Sequence, residues 1–259
     1  YACSRLTFRK QWVNMEGAPE TQLGSIHAQL GQTDFGWGAL VCHDRVGATD
    51  RMDIYANGAY HLRLNDKLHM SVGLRLGGTQ YSCNNVDLRY WDDGDQVFER
   101  NRTSKFLPNA GAGVYVYSDR YFGGISVPNV ISYDNTQSFS SGAATSAYVP
   151  RPVRHYYATG GMVFELQPDV VLKPSVLIKY VENAPVQADF NLNVLLAKVL
   201  WMGGGYRTGD AVVGMLEIQA SKKLKIGYCY DFTLSNVRYY SAGSHEFMVG
   251  YDFGKALMQ

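Results

Sequence analysis

The chain has 259 residues, a formal net charge of +1, 46% hydrophobic residues and 13% aromatic residues. That length suits one large β domain, and so balanced a charge offers no basic surface for nucleic acid. No run approaches the roughly 18–20 consecutive apolar residues of a transmembrane helix. A membrane barrel remains open, because only alternate residues of its strands need be apolar.

Taken from the start, residues 4–13 read as the first strand, 21–30 as the second and 34–42 as the third, with Phe35, Trp37, Ala39 and Val41 on one face. The fourth, 51–63, sets Met52, Ile54, Ala56 and Tyr60 against Arg51, Asp53, Asn57 and His61. The fifth, 67–79, sets Leu68, Met70, Val72, Leu74 and Leu76 against Lys67, His69, Ser71, Arg75 and Thr79. Strands at 110–117, 121–128 and 153–166 follow. The clearest pair comes next, within 169–196: Val170, Leu172, Pro174, Val176, Ile178 and Tyr180, then Val186, Ala188, Phe190, Leu192, Val194 and Leu196, all at even positions. Side chains alternate between faces along a strand, so each run has one apolar face and one mostly polar face. Four more strands at 199–206, 211–219, 223–232 and 244–253 bring the expected number to fourteen.

The connections have a parity. Those after even-numbered strands are short, such as Asn65-Asp66 and Gln167-Pro168. Those after odd-numbered strands include every long one, at 80–109, 129–152 and 233–243. Outer-membrane barrels pair tight periplasmic turns with longer external loops. The expectation is therefore an all-β, antiparallel, up-and-down transmembrane barrel of about fourteen strands, one domain over 1–259, in the bacterial outer membrane with both termini periplasmic. A soluble barrel this wide would enclose a void if its apolar face pointed inward. The polar face, carrying Arg75, Lys173, Lys179, Asp189, Asn191 and Asn193, then lines the lumen, either as an aqueous pore or as a hydrogen-bonded network that closes the barrel.

Cofactor and catalytic signatures are sparse. Cys3, Cys42, Cys83 and Cys229 have no C-x-x-C spacing and define neither a zinc site nor a disulfide framework. Cys3 stands in Ala-Cys-Ser, like the end of a lipoprotein signal, but no hydrophobic region precedes it. His155 and His245 suit structural or girdle positions better than a catalytic pair, and no H-E-x-x-H occurs. Asp92-Asp-Gly-Asp95 lacks EF-hand spacing and reads as a solvated acidic loop rather than a Ca²⁺ site. Gly203-Gly-Gly205 lacks the G-K-[ST] of a phosphate loop and reads as a strand with small residues facing a neighbour. No enzyme activity, metal or cofactor is expected. A local echo joins Glu16-Gly-Ala-Pro19 to Glu182-Asn-Ala-Pro185, either shared turn chemistry or a duplicated hairpin.

Several stretches resemble the PorP/SprF family of type IX secretion outer-membrane proteins. They include Phe8-Arg-Lys-Gln-Trp-Val13 with Gly17-Ala-Pro19, Val114-Tyr-Val-Tyr-Ser-Asp-Arg-Tyr121, Leu172-Lys-Pro-Ser-Val-Leu-Ile-Lys-Tyr180, Tyr206-Arg-Thr-Gly-Asp-Ala211 and Ile226-Gly-Tyr-Cys-Tyr-Asp-Phe-Thr-Leu-Ser235. The start departs from the family pattern, with Cys3 where Gly is usual. The resemblance implies a non-enzymatic role in type IX secretion and, in gliding bacteria, adhesin display. Implied partners are a secreted adhesin or other client, held through its C-terminal domain, and the periplasmic lipoprotein ring and motor. Outer-membrane lipid or lipopolysaccharide would surround the barrel. Family motif and loop position together nominate Trp12, Glu16, Pro19, Glu182, Pro185, Arg207 and Asp210 as partner contacts. The closed network is the favoured lumen, since a folded giant client cannot pass fourteen strands. The alternative is a small-solute porin or transporter.

Overall fold

A computed structural model describes residues 2–84, 102–131 and 153–254 of the chain. Fourteen antiparallel strands form it: β1 (Ala2–Lys10), β2 (Glu20–Gln29), β3 (Phe35–Val46), β4 (Thr49–Arg63), β5 (His69–Asn84), β6 (Arg102–Tyr117) and β7 (Tyr121–Val127) come first. β8 has two segments, His155–Met162 and Phe164–Gln167, and the wall continues through β9 (Val170–Val181), β10 (Gln187–Leu196) and β11 (Leu200–Arg207). β12 (Ala211–Gln219), β13 (Leu224–Thr233) and β14 (Ser244–Asp252) complete it. Each strand pairs with its neighbours in sequence, and β14 pairs with β1 in the register Phe8↔Phe247, closing the sheet. With an even number of up-and-down strands, the ends of β1 and β14 lie at the same rim as the turns that follow even-numbered strands.

The apolar face looks outward. Leu6, Leu74, Leu76 and Ile125 are each 63–66% exposed, while among the described apolar residues only Tyr55, Leu107 and Ala211 are buried. A water-soluble protein of this size hides its leucines in a core; here they form a belt that only lipid covers at low cost. Aromatic clusters flank that belt. At the rim of the short turns lie the Phe35–Tyr60 and Tyr251–Phe253 pairs, each with centroids 4.9 Å apart. At the loop rim lie Tyr156–Tyr180 at 5.8 Å and Tyr230–His245 at 5.0 Å. Both are girdle positions.

The strands differ from the sequence expectation where the chain leaves the lipid layer. β1 ends at Lys10 rather than 13, because Trp12 adopts φ 43. β3 and β4 run on to Val46↔Thr49, joined by Gly47-Ala48 with Gly47 at φ 57, a glycine-first tight hairpin. Residues 80–84 and 102–109, expected as parts of a loop, belong instead to the tallest hairpin, whose ladder continues to Asn84↔Arg102. Gln80 and Ser82 break the alternation there because a strand above the membrane meets water on its outer face too. The acidic Asp92–Asp95 motif and nearly all of the 129–152 loop lie outside the described residues.

Candidate functional site

The inner wall near the loop rim carries a continuous ion-pair lattice. Arg9, on β1, donates to Asp231 on β13 at 2.7 Å and to Glu246 on β14 at 2.9 Å. Arg207, closing β11, reaches Asp231 at 3.3 Å, Asp189 on β10 at 3.2 Å and Asp210 at 3.2 Å. Lys179 on β9 completes the row with Asp189 at 2.8 Å. Three cations thus meet four carboxylates across the sector from β9 to β1, every pair but the local Arg207–Asp210 joining adjacent or next-adjacent strands. The row runs along the wall, so it braces the sheet rather than bridging the lumen. Charge-assisted hydrogen bonds of this kind contribute roughly 1.5–3 kcal/mol each when well shielded and less where water enters.

The predicted lumen residues sit on this inward face in different surroundings. Asn191 and Asn193 lie over Gly205 and Gly203 on β11, where any Cβ would collide with their side-chain oxygens. The glycine run therefore admits the two amides, a close approach that its sequence only suggested. Lys173 lies over the Phe122 ring at 5.0 Å. Arg75, at mid-height on β5, lies over the Tyr55 ring with its guanidinium carbon 3.5 Å from the centroid.

Tyr55 is itself held on both sides. Its hydroxyl contacts Thr79 Oγ1 at 3.3 Å and donates to Asn129 Oδ1 at 3.3 Å, and Thr79 donates to Asp53. Arg51 clamps Asp53 through Nε and Nη2, the latter at 2.6 Å. Asn129, just past β7, is thereby drawn in over the lumen.

The partner-contact candidates separate into two groups. Arg207 and Asp210 are engaged in the lattice, and the Asp210 carbonyl also accepts the Leu234 amide at 2.7 Å. The others lie on connections at the loop rim. In 11–19, Trp12 donates its amide to Ser244 Oγ at 3.2 Å, Val13 exchanges backbone bonds with Ala242 and Gly243, and Gly17 accepts from Gly47 at 3.0 Å. Three connections are thus fastened into one platform, with Glu16 exposed on top and Pro19 half-buried at its base. Glu182 and Pro185 are exposed on the β9–β10 turn, four strands away along the wall. The two Glu-x-Ala-Pro segments share one local turn. Ala18 donates to Met15 O and Ala184 to Val181 O, with Gly17 at φ 70 and Asn183 at φ 63. Gly and Asn are the residues that tolerate that conformation, which accounts for the echo without a duplication.

Sequence reasoning missed Arg9, Asp231, Glu246 and Tyr55. Parity could have placed the three charges inward near the loop rim, but only the closed ladder brings β1 and β13 to either side of β14. Among the described residues neither histidine considered for catalysis contacts a serine hydroxyl: His155 Nδ1 lies 3.0 Å from Val153 O, and His245 Nδ1 lies 2.7 Å from the Tyr228 hydroxyl. Cys3, Cys42 and Cys229 are free thiols. Among the described residues no cluster of three or more His, Cys, Asp or Glu is arranged to hold a metal ion.

Comparison with known proteins places this geometry in context. The family described as type IX secretion system membrane protein PorP/SprF matches residues 4–251. No curated protein matches the chain in sequence. Among solved structures, the outer-membrane protein Omp33 of Acinetobacter baumannii aligns at TM-score 0.54 and 8% identity, over 96% of this chain and 97% of its own. The toluene transporter TbuX of Ralstonia pickettii aligns at 0.53 and 8% identity, over 96% of this chain and 88% of its own. A KdgM porin aligns at 0.48 and 10% identity over 97% and 99%, a score too low to add to the argument. At such identities the first two likenesses speak to the fold alone: an outer-membrane barrel.

Proposed function

The chain belongs to the PorP/SprF family of type IX secretion membrane proteins, and from that premise we propose that this outer-membrane barrel helps to export a secreted surface protein or to anchor it by its C-terminal domain. In this reading the barrel does no chemistry itself. The rim of short turns and both termini face the periplasm, toward the lipoprotein ring and motor. The rim of long connections faces outward and receives the client, such as an adhesin in a gliding cell.

The observation that carries the reading is the fastened platform at the loop rim. Free loops would lose conformational entropy on docking a partner, whereas connections already tied together lose less. The backbone bonds between 11–19, Gly47 and 242–243 supply that preorganisation. Beside them the short 3-10 turn Asn236–Tyr239 presents Tyr239 and Tyr240, at 70% and 74% exposure. Tyrosines presented on a rigid support are favoured anchors for protein partners.

The test is surface retention. In cells carrying Trp12→Ala with Glu16→Ala, the secreted partner should appear in the medium instead of on the surface, while the barrel keeps its heat-modifiable mobility on gels. Retention as strong as in wild type, in these variants and in Glu182→Ala with Pro185→Ala, would count against this interface. Planar-bilayer recording addresses the solute-porin alternative, for which a steady ion conductance is the signature.

A further inference from the structure

Three inward-facing arginines, Arg9, Arg51 and Arg207, each grip at least one carboxylate. Arg75 does not. Among the described residues it makes no ion pair, and its buried Nε has no acceptor. It is one wall of a cavity of about 510 Å³ inside the barrel, lined also by Asn57, Ser71, Ser126, Tyr157 and Thr159. No carboxylate lines that cavity among the described residues. The nearest acid along the chain of contacts, Asp53, is already taken by Arg51 and Thr79.

Two further features mark the cavity as built. First, Arg75 is fixed in place: it lies on the Tyr55 ring, which is only 2% exposed and is tethered at its hydroxyl to Thr79 and Asn129. A guanidinium stacked on a ring keeps its in-plane N–H groups available at the edge. Second, Gly73, one inward position along β5 from Arg75, leaves space that the fold does not require. A Cβ there would meet nothing closer than 3.8 Å, ordinary contact. A larger residue would fit the backbone and would fill the cavity in front of the guanidinium.

We infer that Arg75 is the anchoring cation of a binding site in the barrel interior for a small polyhydroxylated carboxylate. The planar fork matches a carboxylate with two parallel N–H···O bonds. The hydroxyls of Ser71, Ser126 and Tyr157 and the amide of Asn57 match the alcohol groups of such a molecule, and Thr159, whose hydroxyl donates to the Val176 carbonyl, can accept from one. The volume lies within the range of small-molecule sites. The site depends on the barrel interior alone and stands whether or not the barrel anchors a secreted protein.

Isothermal titration of the detergent-solubilised full chain with sodium gluconate tests it, with sorbitol as the uncharged analogue and sodium chloride at matched ionic strength. Gluconate should bind saturably and sorbitol should not. Arg75→Gln should weaken binding at least tenfold. Arg75→Lys, which keeps the charge but loses the fork, should weaken it by less. Gly73→Leu should also weaken it at least tenfold, with Arg75 untouched. Absence of saturable gluconate heat in the wild type, equal affinity for sorbitol, or an unchanged Kd in Arg75→Gln and Gly73→Leu would overturn the assignment.

Discussion

Two sectors of the inner wall treat charge in opposite ways. From β9 round to β1, every cation of the loop-rim row touches at least one carboxylate, and strands of 8–12 residues are laced together by the row. From β4 to β6, strands of 15–16 residues stand taller, and one arginine rests on a tyrosine ring beside a cavity. The first arrangement resists distortion of the rim, since each charge removed strands its partners. The second leaves one cation, Arg75, without a carboxylate among the described residues. A barrel interior must hold polar groups because the apolar groups are spent on lipid; what differs is whether those groups satisfy one another.

The largest effect is expected at the centre of the lattice. Asp231 has a side chain only 5% exposed and serves both Arg9 and Arg207. Asp231→Ala should lower unfolding stability in detergent by about 3 kcal/mol, taking the shielded-pair range and discounting for partners that still reach water. A urea midpoint equal to wild type would remove the lattice from the account of stability.

Next comes the face shared by both sectors. Leu216 projects outward near the middle of β12 and is 47% exposed. Leu216→Arg should cost about 2–3 kcal/mol of folding into lipid vesicles. Met215→Arg, one position along and facing inward, should cost clearly less. Equal costs would mean that the outward face is not the lipid face.

A direct contrast of two arginines follows. Arg9→Gln should destabilise by about 2 kcal/mol, because Asp231 keeps only its longer contact to Arg207 and Glu246 loses its arginine, whereas Arg75→Gln should cost no more than about 0.5–1 kcal/mol, the worth of its ring contact. Comparable losses in the two urea titrations would erase the distinction between the sectors.

The smallest effect lies at the opposite rim of the laced sector. Ala197 and Lys198 both hold positive φ, at 51 and 56, in the turn between β10 and β11. Asn-Gly is the pair suited to that backbone. Ala197→Asn with Lys198→Gly should therefore raise the unfolding stability read from the same urea titration by about 0.5–1 kcal/mol, and an unchanged midpoint would show that the turn stores no such strain.

Much of this was written in the order of residues. Alternation at Val170–Tyr180 and Val186–Leu196 determined two strands and their lipid faces, because a strand's side-chain period is two whatever surrounds it. Counting the alternating segments determined the number of strands, and connection parity determined which rim holds both ends of the barrel. The β5–β6 tower escaped, since residues 80–84 and 102–106 are stabilised by pairing with each other and carry no alternating apolar pattern outside the lipid. The lattice escaped for a related reason. Asp189 and Lys179 were visible as polar-face residues and Arg207 as a loop-position candidate, but Arg9 and Asp231 are 222 positions apart. Closure of the sheet is what sets them on either side of β14, and hydrogen bonding between the first and last strands, not any local preference, decides that closure.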